Sequence, residues 1–429
     1  QAIADANPGS PLATRLELFK RWYSQAGTPR VGASGRYDAE ARTYTLSLAQ
    51  SCPSTPGQPE KHPVVVPVGF ALIGPDGQAL PLRLDGEIGP VGLERVLVLD
   101  QPEQSFVFVD VPAAPVPSLL RGYSAPVILQ WAASDAELLL QLAHDSDPFN
   151  RWEAAQRLML DRLLQAIRHQ AALQLDAALV EALRAVLVHP TLDAAFKELV
   201  LTWPSEGYMA ERLAAQGIEV DPQRVHAVRE AARLQLAQAL RDDWEAAFQA
   251  HANTGAYRPD AQSTGRRALA NLALSQLVLE ATARGDDTWP GRALQRFKDA
   301  VNMTDRMGAL SALVHAGAAL AEPALQRFHA FFRGDALVID KWFQLQAGAP
   351  EHDGRVFARV KALAQHPDFS LKNPNRARSL LMVLTQNPSA FHRADAAGYV
   401  FWSDKVLEID PINPQLAARM ARALDRWRV

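Results

Sequence analysis

Thr43-Tyr44-Thr45-Leu46-Ser47-Leu48 alternates polar and bulky side chains, so one face of an extended strand carries Tyr44, Leu46 and Leu48. Ser105-Phe106-Val107-Phe108-Val109 has the same texture, and Val64-Val65-Val66 and Phe70-Ala71-Leu72-Ile73 add two apolar runs of strand length. Asp76-Gly77 then supplies a residue able to take positive φ in a tight turn. Of the 29 prolines, 16 precede residue 130, which suits short strands joined by irregular connections and works against long helices. These patterns predict a small all-β sandwich over residues 30–130. Upstream, Leu16, Phe19, Lys20 and Tyr23 have helix-like spacing, but Gly27-Thr28-Pro29 stops it, and residues 1–29 read as a connector.

After Trp131 the composition turns to Ala, Leu, Arg, Glu and Gln, residues that lose little entropy in helices. Apolar positions now recur at three and four residues, as in Leu179, Leu183, Val186 and Leu187. Pro190, Pro222, Pro259, Pro290 and Pro323 fall about one helical hairpin apart, the spacing of stacked helix pairs. Residues 131–429 are therefore expected to form a large all-α superhelical domain. Asp193, Asp221 and Ser389 are the expected N-caps.

The 429 residues are 48% hydrophobic and carry a net charge of -3 with both signs interspersed, so the chain is globular and multidomain and offers no broad basic surface. Nucleic acid and anionic membranes are excluded as main partners on that ground. No apolar run approaches the length of a membrane span, and Gln1 to Ser10 lacks the basic start and apolar stretch of a signal peptide. Cys52 is the single cysteine, which removes intrachain disulfides and fits a reducing cytoplasm. A start at Gln1 in place of Met suggests a processed or truncated chain.

Motifs for chemistry are missing. The eleven histidines stand more than four residues apart, so no zinc-binding pair lies on one helix turn, and a site built from distant histidines and carboxylates has no motif to announce it. There is no G-x-S-x-G elbow, no phosphate loop ending in Gly-Lys and no dinucleotide fingerprint. Gly86, Gly89 and Gly92 come nearest to the last, within a loop that no helix follows. His144-Asp145 and Asp147 suggest acid/base work, yet they precede Pro148 and read more simply as a helix-capping loop. The expectation is that the chain has no catalytic residue, metal ligand or cofactor of its own.

Six stretches resemble one family. Lys20-Arg21-Trp22-Tyr23-Ser24-Gln25-Ala26-Gly27-Thr28-Pro29 is similar to the segment that follows the catalytic domain in bacterial aminopeptidase N, the alanyl-aminopeptidase type of zinc metallopeptidase. Phe149-Asn150-Arg151-Trp152-Glu153-Ala154-Ala155-Gln156, Asn302-Met303-Thr304-Asp305, Asp340-Lys341-Trp342-Phe343, Asn373-Pro374-Asn375-Arg376-Ala377-Arg378-Ser379-Leu380 and Asn413-Pro414-Gln415 resemble its helical domain. Each is weak alone; in order along nearly the whole chain they are specific.

The resemblance implies a non-catalytic C-terminal half. In the family an N-terminal β domain and a thermolysin-like catalytic domain come first, and the H-E-x-x-H helix, the downstream zinc-ligand glutamate, the G-x-M-E-N loop and the catalytic tyrosine belong there. None occurs here, so zinc is expected in the catalytic domain and none in this chain. The C-terminus also stops about one or two helices short of the family pattern. The helical domain is implied to cap the catalytic domain of the same polypeptide and to line a cavity for peptide substrates. By local motif Arg378 and Arg419 are implied to face that cavity, and Arg376 competes with Arg378 because residues two apart on a helix cannot share a face. Trp152, Trp342 and Phe343 are assigned to packing. The competing function is a free-standing interaction scaffold built on the concave face of the helical array.

Overall fold

The computed structural model describes residues 1–90, 92–252 and 255–425. They form two compact units, Gln1–Leu158 and Met159–Val429.

The first unit is built on seven strands: β1 (Arg30–Asp38), β2 (Thr43–Ser51), β3 (Val66–Ile73), β4 (Glu94–Leu99), β5 (Glu103–Phe108), β6 (Val116–Leu119) and β7 (Ile128–Trp131). One sheet has the order β5-β2-β1-β7 and the other β4-β3-β6. All pairs are antiparallel except β1 with β7. The alternation of β2 sets the layering: Tyr44, Leu46 and Leu48 enter the core with Val31 and Phe108 from their own sheet and Val66, Val68, Phe70, Leu72, Leu97 and Leu99 from the other. Gly77 makes the turn after β3 at φ 80°, and a Cβ there would meet the His144 ring at 2.4 Å, so the position demands glycine twice over. Ahead of β1 lie four helical turns, Ala2–Ala6, Pro11–Thr14, Leu16–Phe19 and Arg21–Ser24, and Trp22 donates its indole hydrogen to the Val65 carbonyl at 2.8 Å.

Helices begin with α1 (Asp135–His144), opened by a reciprocal cap between Ser134 and Glu137, and α2 (Pro148–Arg168), within which the boundary of the two units falls. The His144-Asp145 stretch is structural. Asp145 accepts from the buried Arg121 at 2.6 Å, and Asp147 caps α2 by accepting the Asn150 N–H at 2.9 Å.

The second unit continues as α3 (Ala177–Val188), α4 (Ala194–Leu201), α5 (Glu206–Ala214), α6 (Pro222–Ala239), α7 (Arg241–His251), α8 (Ala261–Ala283), α9 (Thr288–Asp299) and α10 (Met303–His315). Then come α11 (Ala321–Phe332), α12 (Ala336–Ala347), α13 (Arg355–Leu363), α14 (374–385), α15 (Ala397–Ile409) and α16 (Pro414–Ala421). The prolines punctuate as their spacing implies: Pro222 opens α6, Pro290 and Pro323 occupy first turns, and Pro190 and Pro259 lie in connections. Asp193 and Asp221 cap α4 and α6. Ser389 does not cap. It lies buried inside the single turn Pro388–Phe391, and Asn387, at the cap position, spends its amide on the carbonyls of Ala347 and Ala349. Within α14 the segment Arg378–Met382 widens into a π turn. Leu179, Leu183, Val186 and Leu187 are buried together with Trp342 and Phe343, while Trp152 is half-buried against the Phe149 ring at 5.6 Å. Among the described residues no helix is long and apolar enough to cross a membrane.

Candidate functional site

α6 places His226, Arg229, Glu230 and Arg233 at i, i+3, i+4 and i+7, a polar stripe beside the buried face of Val225, Val228, Ala232 and Leu236. Arg229, Glu230 and Arg233 line a cavity of about 1010 Å³ in the helical unit. Glu206 from the start of α5, Gln276 from α8, His315 from the end of α10, residues 382–388 and Arg419 from α16 complete much of its wall.

The charges are organised in one network. Arg233 donates to both oxygens of Glu230 at 2.6 and 2.8 Å, Arg229 reaches the same carboxylate at 3.3 Å, and the Arg229 Nε–H is taken by the Pro204 carbonyl at 2.8 Å. Burial pushes the Glu230 pKa up, but the charge and hydrogen bonds of Arg233 outweigh it, and the carboxyl ends below its ordinary range. Burial, followed by the positive charge of Arg233, lowers the His315 pKa to about 4, so this ring is neutral near pH 7. His392, also on the wall, is lowered to about 4 by burial; its Nδ1 lies 2.8 Å from the Tyr399 hydroxyl.

Of the three arginines expected in a substrate cavity, Arg419 lines this one and is exposed. Arg376 does not. It is buried, paired with Asp340, stacked over the Phe343 ring at 5.0 Å and bonded to the carbonyls of Asp368 and Ala336, so it ties α12 to the segment before α14. Arg378 is half-buried, donates to Asn375 at 3.3 Å and does not line the cavity either. Sequence reasoning passed over the α6 set and Glu206, although the four-residue polar stripe within an otherwise apolar helix was visible.

Folding also gathers two groups with metal-ligand chemistry that no local motif predicts: Glu206 with His226 and Glu230, and His329 with His366 and Asp368. The first does not suit a metal. His226 faces Glu206 Oε1 through Nδ1 at 2.7 Å and the Glu351 carbonyl through Nε2 at 2.9 Å, so both ring nitrogens carry protons. Burial works against that cation, but the Glu206 hydrogen bond and the charges of Glu206 and Glu230 win, and its pKa is raised. Neither group reproduces a histidine pair on one helix turn with a free carboxylate, the donor set a peptidase zinc requires.

A β-sandwich ahead of an α-helical array whose inner wall carries charge and no catalytic constellation defines the class. Residues 27–132 match a domain of unknown function (DUF3458) with an Ig-like fold, and residues 135–429 match a domain of unknown function (DUF3458_C) of ARM repeats. The chain is 37% identical over 432 residues to aminopeptidase N of Escherichia coli (strain K12), covering 100% of this chain and 47% of that protein. Against aminopeptidase N of Caulobacter vibrioides it is 38% identical over 414 residues, covering 96% of this chain and 46% of the relative. Aminopeptidase A of Legionella pneumophila, solved in complex with aspartic acid, superposes with a TM-score of 0.79 at 26% identity, covering 96% of this chain and 46% of that one. The chain belongs to the aminopeptidase N family and corresponds to its C-terminal part; it spans about half the length of the curated relatives it matches. Similarity along the full chain does not favour the free-standing scaffold.

Proposed function

We propose that this chain is the non-catalytic C-terminal part of a zinc-dependent aminopeptidase that removes N-terminal residues from peptides. In this reading the helical unit caps the catalytic domain of the same polypeptide and lines the substrate cavity. The observation that carries it is the family match along the full chain, joined to a cavity wall that presents Arg419 and the α6 charges. Such a wall suits a peptide, which brings carbonyls along its length and a carboxylate at its end. The zinc would sit in the catalytic domain and polarise the scissile carbonyl and its attacking water; the residues of this chain would orient the part of the peptide remote from that bond. A single cysteine and the absence of a long apolar helix among the described residues suit work in the cytoplasm.

The test uses the complete enzyme. Arg419→Ala should raise KM for peptides of several residues by about 10- to 100-fold, the equivalent of one charge-assisted hydrogen bond of about 1.5–3 kcal/mol. KM for a single-residue aminoacyl nitroanilide should stay unchanged. Equal losses on both substrates, or none on either, would overturn the assignment. Turnover of the nitroanilide by this chain alone with added zinc, abolished by a chelator, would overturn the non-catalytic reading.

A further inference from the structure

His329 lies in the last turn of α11, and His366 and Asp368 lie in the turn that follows α13. His329 Nε2 is 2.6 Å from Asp368 Oδ2, and His366 Nδ1 is 4.0 Å from the same oxygen. Each residue offers one donor atom within 4.8 Å of the other two. Ligand bonds of about 2.0–2.2 Å in a tetrahedron put donors about 3.3 Å apart. The two separations bracket that value, so rotations that move the donors by less than about 1 Å would close a three-ligand shell.

The nitrogens here differ from those of His226. His366 Nδ1 accepts the Asp368 backbone N–H at 3.1 Å, so it presents a lone pair and not a proton. Burial, followed by the nearby His329 charge, lowers the His366 pKa and keeps the ring neutral. The rings rest on Trp342, with centroids 4.9 Å from His329 and 5.3 Å from His366, and the indole is itself fixed by donation to the Leu325 carbonyl at 3.0 Å. On the other side His329, His366 and Trp342 border a cavity of about 670 Å³, from which water can enter as a further ligand. Arg376 opposes a cation here, but its charge is met by Asp340.

We propose that His329, His366 and Asp368 form a binding site for a divalent transition-metal ion that favours nitrogen and carboxylate ligands, such as zinc or cobalt. It is independent of the peptidase zinc and of the proposed cavity function. Bound metal would cross-link α11 to the segment after α13.

The experiment titrates this chain, freed of metal by chelation and carrying no added histidines, with zinc and with cobalt. One equivalent should bind, and cobalt should give the visible absorption of a four-coordinate nitrogen and oxygen site. His366→Ala and the shape-preserving Asp368→Asn should each weaken zinc by at least about 100-fold, beyond the usual cost of removing a group that merely supports a ligand. His62→Ala, an exposed change in the sandwich, should leave affinity as it was. Absence of stoichiometric binding, or affinity untouched by both Asp368→Asn and His366→Ala, would overturn the proposal. So would affinity lost through Glu206→Gln, which would move the ion to the α6 cluster. Far-ultraviolet dichroism separates loss of a ligand from loss of fold.

Discussion

The sandwich and the helical unit bury different things. Inside the sheets the filling is apolar: Leu46, Leu48, Phe70, Leu72 and Phe108 meet across the layers. The helical unit buries Lys197, His226, Arg267, Glu280, Asp305 and Arg376, each against a partner such as the Leu187 carbonyl, Glu206, Thr264, Arg284, Arg296 or Asp340. Strands satisfy their backbone groups along the ladder. Every helix leaves carbonyls and N–H groups open at its ends, and long charged side chains reach them. A stacked-helix wall can thus hold fixed charge beside a cavity in a way that a sandwich core does not.

Same-sized substitutions break the comparison most directly. Glu230→Gln leaves Arg229 and Arg233 without their counter-charge and should cost about 3–5 kcal/mol in urea denaturation. His315 provides a pH signature. Its folded pKa of about 4 lies below its ordinary 6.5, so between those values the unfolded chain binds more protons and stability falls as pH falls. That loss is on the order of 3 kcal/mol, and His315→Gln should flatten the decline across the same window. His226 works in the opposite direction: its raised pKa gives stability that is lost as pH rises through the folded value. In the sandwich Leu46→Met keeps the volume and should cost less than about 1.5 kcal/mol, with no pH dependence. Smallest is Asp221→Ala, about 1 kcal/mol for the lost cap on α6, read from thermal melting.

Local pattern made the architecture legible. Alternation at residues 43–48 and 105–109 located strands, and prolines at hairpin spacing marked the helical array, because both signals are written in neighbouring residues. Caps were legible where the acid stands alone before its helix, as at Asp193 and Asp221. Ser389 misled because a second proline-led turn begins one residue before it. The candidate site was harder. Arg419 came from a family resemblance, while Arg376 carries the same motif and is committed to Asp340 on another helix, 36 residues away. His329 and Asp368 likewise meet across 39 residues, a distance at which no spacing rule operates.

The π turn at Arg378–Met382 holds one residue more than an α-helix would need there. Met382, Val383 and Thr385 reach the cavity wall because of that surplus. Deleting a single residue would rewind the segment and swing everything after it by about 100°. The lining would be exchanged for a different set of side chains with no letter of it altered, so this turn is where a shift in peptide preference could arise through length alone.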